Sequence, residues 1–357
     1  MLSAISIQNF RCFSNLKVEG FKNINLIGGK NNVGKTALLE ALTVANYPTP
    51  NSISLLRLLR KESDYLIRTA TDIVWDYFFF NEDKTKEIQF SSNFDNGKTK
   101  ILSLFCEPHT QYSTNIGSQL LEIPESKFYI TSLLNVKGNT QKTNYDYHFT
   151  PNKESGKLEY SGEIGNDLNY PPFLTSTFQR NSNALVQLYS KLKVLDKIKE
   201  FNEILCILDN RIIGSEIDAP GGEPIIKILL DSNKSIPLTM FGDAVQKVAE
   251  LMLVLFNSPN SIIIIDEIEN GIHYTKQKEL WTKLFEVIGD DIQIFATSHS
   301  LEMITAFNEV AYQTKFEDKA MYFEMARVPS TGEIIANPIN MKKLNYKLAS
   351  KSALRGE

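Results

Sequence analysis

The first forty residues carry two apolar patterns that lead into a helix. Residues 3–8 alternate apolar and polar side chains, as in a half-buried strand, and residues 24–27 form a short apolar run before two glycines. From Lys35 onward the leucines recur with helical spacing. This pattern predicts a strand, a turn, a second strand, a loop and a helix.

The middle of the chain changes from a strand pattern to a helix pattern. Short alternating segments separated by Asn, Gly, Pro and Ser predict an antiparallel meander over residues 86–165; they are residues 87–92, 100–106, 127–133, 145–149 and 157–163. Residues 182–210 then carry an apolar stripe at helical spacing, which predicts an amphipathic helix covering a sheet. The stripe is too short to sustain a long coiled-coil arm.

Residues 225–300 predict strand, loop, helix, strand, helix and strand. Ile262–Ile265 and residues 292–295 are continuous apolar runs, as expected for strands that are covered on both faces in a parallel sheet. Residues 275–288 have the spacing of the connecting helix. Residues 320–337 predict a terminal hairpin, followed by a short polar helix. These patterns together indicate an α/β fold with an inserted β lobe.

Composition and charge are those of a soluble globular protein. Hydrophobic residues make up 42% and charged residues 22% of the 357 residues, and the net charge is −4. The acidic balance argues against a broadly basic nucleic-acid-binding surface, so DNA binding would need a local patch. The best basic candidate is Arg57, Arg60, Lys61 and Arg68, which the leucines between them also explain as the solvated face of a helix.

The cysteines and the N-terminus predict a cytoplasmic protein. Cys12, Cys106 and Cys206 are odd in number and far apart, which argues against a disulfide framework or a zinc cluster. No apolar run approaches the roughly 18 residues of a membrane span, and the first residues lack the regions of a signal peptide.

Residues 29–36 read Gly-Lys-Asn-Asn-Val-Gly-Lys-Thr and fit the phosphate-binding pattern G-x-x-x-x-G-K-[ST] between a strand and a helix. Glycines let the backbone wrap phosphates with its N–H groups, and the positive end of the next helix adds to that field. Lys35 would reach the β and γ phosphates, and the Thr36 hydroxyl would hold Mg²⁺. We assign nucleotide binding to Gly29, Asn31, Asn32, Val33, Gly34, Lys35, Thr36 and Ala37.

Two acidic residues and a histidine follow the predicted parallel strands. Asp266 comes directly after the isoleucine strand, where a carboxylate is well placed to meet Mg²⁺. Glu267 is the candidate general base that orients and deprotonates the attacking water. His299 follows the next strand and would sense the γ-phosphate. His273 lies in the loop after the acidic pair, and its role stays open.

These residues together resemble the ABC ATPases of the SMC, RecF and OLD kind, AAA-family ATP-binding proteins found in bacterial defence operons. Residues 7–13, Ile-Gln-Asn-Phe-Arg-Cys-Phe, look like the "NFR-x-F" opening of this group, which implies that Arg11 lies near the nucleotide or the strand pairing beneath it. The implied fold is an α/β P-loop NTPase of the ABC/SMC-head type, with a mixed sheet core, an antiparallel β lobe and a helical lobe. We predict a single ATPase head over residues 1–357, with a nucleotide-binding core of residues 1–45 plus 225–357 and an inserted lobe of residues 46–224.

The resemblance also implies a signature segment that reaches the ATP of a partner protomer. The best match is residues 237–247, in which Gly242 and Asp243 begin a helix and would approach the γ-phosphate. Relatives usually carry Ser where Met240 stands and often Gly where Ala244 stands. The missing hydroxyl leaves the strength of this contact and the rate of hydrolysis open. The glutamine loop of the group has no identifiable position in the sequence.

The implied activity is ATP hydrolysis with Mg²⁺, in a homodimer or larger even-numbered homo-oligomer that closes on ATP. The chain after His299 is too short for the TOPRIM nuclease domain of OLD-type proteins, so we expect a compact form. One hypothesis is a regulator of a separately encoded effector, such as a nuclease or toxin, in antiphage defence. The alternative is a RecF/SMC-like DNA-binding repair ATPase. A membrane transporter subunit is less favoured, and adenylate-kinase-like transfer to a small molecule is the weakest reading because no lid of arginines follows the core.

Overall fold

A computed structural model describes residues 1–114, 120–136, 139–163, 172–175, 181–313 and 316–350. The strands are β1 (Leu2–Phe10), β2 (Phe13–Glu19), β3 (Ile24–Gly29), β4 (Ile88–Phe94), β5 (Lys98–Thr114), β6 (Leu120–Val136), β7 (Asn139–Asn152), β8 (Lys157–Glu163), β9 (Phe173–Leu174), β10 (Ile212–Asp218), β11 (Ile225–Leu230), β12 (Ser235–Pro237), β13 (Ile262–Ile265), β14 (Gln293–Thr297), β15 (Ala320–Arg327) and β16 (Ile334–Ile339). The helices are α1 (Lys35–Asn46), α2 (Pro50–Leu59), α3 (Asp64–Thr69), α4 (Ser182–Val194), α5 (Ile198–Leu208), α6 (Asp243–Asn257), α7 (Tyr274–Val287), α8 (Leu301–Tyr312) and α9 (Met341–Ala349).

The chain forms two compact units. The first comprises Met1–Phe21, Asn32–Pro171 and Met325–Asn337, and the second comprises Lys22–Asn31, Pro172–Glu324 and Pro338–Glu357. The predicted division into residues 1–45 plus 225–357 and residues 46–224 stays a prediction. The compact units divide the chain elsewhere because β1 pairs with the meander, whereas α4 and α5 pack on α6.

The first unit is built on an antiparallel sheet with the strand order β2-β1-β4-β5-β6-β7-β8. The predicted meander is therefore confirmed, and its first strand pairs with β1. One face of the sheet carries large apolar side chains because alternate residues of a strand point to the same side. Trp75 stacks on Phe128 with ring centroids 4.4 Å apart, and Phe149 lies directly opposite Phe128 in the register of β6 and β7.

The second unit contains the parallel strands β3, β14, β13 and β9, side by side in that order, and β15 and β16 extend this sheet beyond β3. Ile263, Ile264 and Ile265 are at most 1% exposed, as predicted for a strand that is covered on both faces. A small antiparallel sheet in the order β10-β11-β12 lies in the same unit. Since parallel strands end at one edge of a sheet, the residues that follow β3, β13 and β14 come together.

The predicted helix of residues 182–210 is wrong in its continuity. The structure has α4 and α5 instead, separated at Asp196, whose φ of 55° is left-handed. The Lys197 N–H donates to the Leu192 carbonyl oxygen, which closes the end of α4. Both helices pack on α6 and on the small sheet. The apolar stripe is continuous along the sequence because both helices bury their leucines against the same core.

The fold class predicted from the sequence is confirmed, with additions that no pattern revealed. The structure shows a mixed α/β fold with a partly parallel core sheet, an antiparallel β lobe and packed helices. Strands β2, β9, β10 and β12 and helix α8 were not predicted, and around residues 57–68 a single helix was expected where the structure has α2 and α3. Strand β9 has only two residues, which is too short for an alternation to be recognised.

Candidate functional site

The phosphate-binding loop has the backbone conformation that its sequence predicts. Left-handed φ values occur at Asn32 (61°) and Gly34 (85°), and β3 ends at Gly29 with a φ of 137°. Alternation of right- and left-handed residues turns successive N–H groups toward one side, which forms an anion-binding nest. Gly34 is the N-cap of α1, so the positive end of that helix adjoins the loop.

The side chains of the loop differ in their exposure. Asn31 and Asn32 are exposed, whereas Val33 and Ala37 are buried and anchor the loop and the start of α1. Lys35 is 6% exposed, and Thr36 is partly buried. The assignment of these residues to the nucleotide stays a prediction.

Gly34 also explains why the "NFR-x-F" segment accompanies the loop. A Cβ atom at Gly34 would lie 2.8 Å from the Cys12 Sγ and 2.9 Å from the Phe13 ring. Close packing and a left-handed φ therefore both require glycine at this position. The link between the two segments is physical: Cys12 and Phe13 form the surface on which the end of the loop rests.

Arg11 is held by a buried ionic network in the first unit. Its Nε donates to the Glu40 Oε2 at 3.1 Å, and its Nη1 donates to the Tyr77 carbonyl oxygen at 2.8 Å. Its guanidinium lies 4.4 Å from the centre of the Phe78 ring. These contacts give Arg11 a structural role beneath the strand pairing, and its predicted role toward the nucleotide stays a prediction.

Three residues of the basic stretch, Arg60, Lys61 and Arg68, are exposed as on the solvated helix face that the sequence indicates, whereas Arg57 is buried. Arg57 is 6% exposed and pairs with Glu62 at 3.1 Å, and Arg60 pairs with the fully buried Glu40 at 2.6 Å. Burial raises the pKa of Glu62, an effect that Arg57 and Arg11 oppose. Arg57 faces inward because the Glu62 carboxylate that pairs with it is buried, which the sequence pattern does not reveal.

Asp266 and Glu267 follow β13 and share a hydrogen-bond partner at the end of β14. The Thr297 hydroxyl donates to the Asp266 Oδ1 and accepts from the Glu267 N–H at 2.8 Å. The adjacent Ser298 N–H donates to the Ile27 carbonyl oxygen of β3 at 3.0 Å. The ends of β13, β14 and β3 therefore meet as predicted, and Thr297 is a residue of this cluster that the sequence analysis did not assign.

Glu267 has a left-handed backbone with a φ of 52°. Such a conformation costs about 1 kcal/mol or more in a non-glycine residue, so neighbouring groups must stabilise it. The Glu267 carbonyl oxygen accepts from the Asn270 N–H at 3.0 Å and from the Lys247 ammonium. The Asn270 amide also donates to the Glu267 Oε2 at 2.5 Å. The backbone and the carboxylate of Glu267 are therefore both held by hydrogen bonds.

Lys247 reaches this cluster from α6. Burial lowers its pKa, and the carboxylates of Glu269, Glu267 and Asp266 oppose that effect. Lys247 lies in the segment of residues 237–247 that resembles the signature, but no role was predicted for it. A signal was present, because Lys247 is a charged residue in a helix whose following residues are almost all buried and apolar.

The predicted signature residues lie at an open helix end. Gly242 and Asp243 are exposed where α6 begins. Gly271, with a φ of 80°, packs against this start: a Cβ there would lie 3.1 Å from the Ala244 backbone nitrogen. The loop after Glu267 and the start of α6 are therefore neighbours in the same unit. The role of Gly242 and Asp243 toward a nucleotide stays a prediction.

The two histidines occupy different surroundings. The His299 side chain is exposed, and its backbone N–H donates to the Glu269 Oε1 at 2.6 Å, which places it beside the acidic cluster. The exposed His273 ring contacts the Thr275 hydroxyl at 2.9 Å and stacks on Tyr274. His299 is therefore hydrogen-bonded to the loop that follows β13, whereas the His273 ring contacts its sequence neighbours Tyr274 and Thr275.

A further neighbour of Asp266 comes from the unpredicted strand β9. The Asp266 N–H donates to the Leu174 carbonyl oxygen at 2.8 Å, so Thr175 emerges at the same edge of the sheet. Residues 176–180 lie outside the described part of the chain.

A phosphate-binding loop between a strand and a helix, with acidic residues at the ends of parallel strands, defines a P-loop nucleotide-binding protein. The chain belongs to the AAA ATPase domain family, which matches residues 1–304. It is an ATP-binding protein and an ATPase, as the sequence predicted.

The chain is similar to several known proteins. The chain is 26% identical over 351 residues to an ATP/GTP phosphatase of Helicobacter pylori, covering 90% of this chain and 92% of that protein. It is 47% identical over 47 residues to a DNA double-strand break repair Rad50 ATPase of Archaeoglobus fulgidus, covering 13% and 5%. An Smc head domain of Pyrococcus furiosus, solved with the C-terminal domain of ScpA, has a TM-score of 0.49 and 8% identity, with 98% of this chain and 99% of that chain covered.

Two further features concern the described residues. None of their helices is long and apolar enough to cross a membrane. Cys12, Cys106 and Cys206 are free cysteines.

Proposed function

We propose that the chain binds ATP with Mg²⁺ at residues 29–36 and hydrolyses it with Glu267 as general base. One observation carries this proposal. The ends of β3, β13 and β14 meet at one edge of a parallel sheet, where Asp266 and Glu267 share Thr297 as hydrogen-bond partner. This edge is where open α/β sheets bind their ligands.

The residues fit a magnesium nucleotide. The left-handed backbone at Asn32 and Gly34 suits an anion, and the Thr36 hydroxyl and the Asp266 carboxylate are oxygen ligands of the kind that Mg²⁺ prefers. The ion would neutralise charge that develops on the phosphates. Thr36 and Asp266 are the residues that would hold it.

Each side chain has a distinct part in the proposed reaction. Lys35 binds the β and γ phosphates, Glu267 accepts a proton from the attacking water, and His299 contacts the γ-phosphate. The bond from Asn270 and the left-handed backbone hold the Glu267 carboxylate in place before ATP arrives. Because the base is already positioned, less rotational freedom must be lost to reach the transition state.

We further propose that two protomers close on ATP. Gly242 and Asp243 begin α6 at an exposed position, so backbone N–H groups at a positive helix end are accessible to the nucleotide of a second copy. Contacts that exist only with the triphosphate favour closure, and hydrolysis then releases it. The resulting assembly is a homodimer or a larger even-numbered homo-oligomer.

Lys35→Ala is expected to weaken ATP binding about 30-fold, since a hydrogen bond to a charged phosphate is worth roughly 2 kcal/mol. Lys30→Ala is the matched control, because Lys30 is an exposed lysine of the same loop. Fluorescent-nucleotide titration measures both affinities. Equal affinities of the two variants would refute the assignment of Lys35.

The biological role is proposed from the resemblance of residues 265–271, Ile-Asp-Glu-Ile-Glu-Asn-Gly, to compact defence ATPases. In this role closure holds or releases a separately encoded effector, such as a TOPRIM-type nuclease, in the cytoplasm during antiphage defence. Burial of Arg57 in its pair with Glu62 removes one of the four charges of the basic stretch that was the best candidate for DNA binding.

Native mass spectrometry of the tagged protein, purified from its own host with ATP, tests the role. A second protein in stoichiometric amount is the expected result. A homodimer that retains DNA at low salt and loses it at high salt would support the repair ATPase instead.

A further inference from the structure

Glu269 lies between Glu267, the proposed base, and His299, the proposed sensor of the γ-phosphate. Its two carboxylate oxygens differ in their hydrogen bonding. Oε1 accepts from the His299 backbone N–H at 2.6 Å. Oε2 is buried and has no hydrogen-bond partner among the described residues. A buried carboxylate oxygen without a donor is costly, so a role beyond folding is the natural explanation for keeping it.

The charge that compensates Glu269 comes from α6. Burial lowers the pKa of Lys247, and the Glu269 carboxylate opposes this effect more strongly than those of Glu267 and Asp266. The Lys247 ammonium donates to the Glu267 carbonyl oxygen at the same time. One lysine is thus bonded to the backbone of the proposed base and is attracted to the carboxylate that holds the histidine backbone.

We propose that Glu269 is a positioning residue for ATP hydrolysis: its carboxylate accepts from the His299 backbone N–H and thereby holds the residues after β14 against the loop after β13. This inference rests on the proposed roles of Glu267 and His299. It goes beyond them because it names the hydrogen bond that fixes the position of His299 relative to Glu267.

The Glu269–His299 hydrogen bond can position His299 because of where it lies along the two loops. Glu267 follows β13 and His299 follows β14. Thr297 bonds to Asp266 and Glu267 and so fixes only the first residues beyond the strands. The Glu269–His299 bond lies further along both loops. Without it the end of β14 is still held, but the residue that faces the γ-phosphate is not. A displacement of about 1 Å at such a site can lower the rate by as much as 100-fold.

The test compares Glu269→Ala with Glu269→Gln in the full-length protein. Glu269→Ala removes the acceptor, and we expect kcat for ATP hydrolysis to fall about tenfold, with the affinity for ATP changed by less than about twofold. Glu269→Gln keeps an oxygen that accepts from the His299 N–H and is expected to restore most of the rate. Glu279→Ala, which removes an exposed carboxylate of α7, is the matched control.

The outcomes separate this inference from the proposed function. A wild-type kcat in Glu269→Ala overturns the inference, and so does a loss of rate that Glu269→Gln does not restore. A parallel loss of ATP affinity and thermal stability in Glu269→Ala also overturns it, since a structural defect would then explain the rate. Glu267→Gln, assayed beside them, reports on the base alone: its inactivity beside an unchanged Glu269→Ala would leave the proposed function intact.

Discussion

Glu267→Gln is expected to lower ATP turnover about 1,000-fold, within the range that a positioned general base contributes, while ATP still binds. The amide keeps the size of the side chain and still accepts from Asn270, but it cannot take a proton from water. Closed, ATP-bound protein should therefore accumulate. Phosphate release measures turnover, and light scattering coupled to gel filtration with ATP and Mg²⁺ is expected to show a dimer.

The double variant Lys35→Ala/Glu267→Gln is the control for this trap. It lacks the lysine that binds the phosphates, so the dimer should disappear at the same ATP concentration. A monomeric Glu267→Gln protein with bound ATP would argue against the dimer. Turnover at the wild-type rate would argue against Glu267 as the base.

Glu40→Gln is expected to lower the free energy of unfolding by about 3 kcal/mol or more, as breaking a buried ion pair does. Glu40 is fully buried and pairs with Arg11 at 3.1 Å and with Arg60 at 2.6 Å. Its replacement keeps the shape but leaves the Arg11 guanidinium, whose side chain is 8% exposed, with less compensation. Urea denaturation followed by circular dichroism measures the change.

Glu19→Gln provides the comparison for Glu40→Gln. Glu19 pairs with Lys17 at 2.8 Å, but both side chains are about 60% exposed, so the loss should stay below roughly 1 kcal/mol. If both variants lose the same small amount, burial of the network does not determine its contribution to stability.

The elements that were predicted correctly have strong local patterns. Ile262–Ile265 is a continuous apolar run, and the structure shows a parallel strand buried as that run predicts. The alternation between residues 86 and 165 likewise predicted the meander. The break between α4 and α5 was missed because the apolar spacing continues across Asp196, while the chain turns there through a left-handed residue.

The residues of the candidate site likewise divide into those that a local pattern predicts and those that it does not. The spacing of glycines, lysine and threonine in residues 29–36 carries its chemistry within one short segment, and the backbone has the conformation that this chemistry needs. Thr297, Asn270, Lys247 and Glu269 carry no comparable signal. Thr297, Lys247 and Glu269 acquire their parts through hydrogen bonds to a different element, as in the bond from Lys247 to the Glu267 carbonyl oxygen, whereas Asn270 bonds within its own loop.

The sequence by itself determined the class of this protein: a phosphate-binding loop after a strand, an acidic pair after a buried strand, and an α/β fold with an antiparallel lobe. These follow from periodicity and from motifs whose residues are neighbours along the chain. Only the tertiary structure decided that Arg11 and Arg57 face buried carboxylates, that β9 adjoins Asp266, and that Glu269 holds the His299 backbone. The physical reason is that burial and partner depend on segments far apart in the chain, which meet only when the sheets and helices pack.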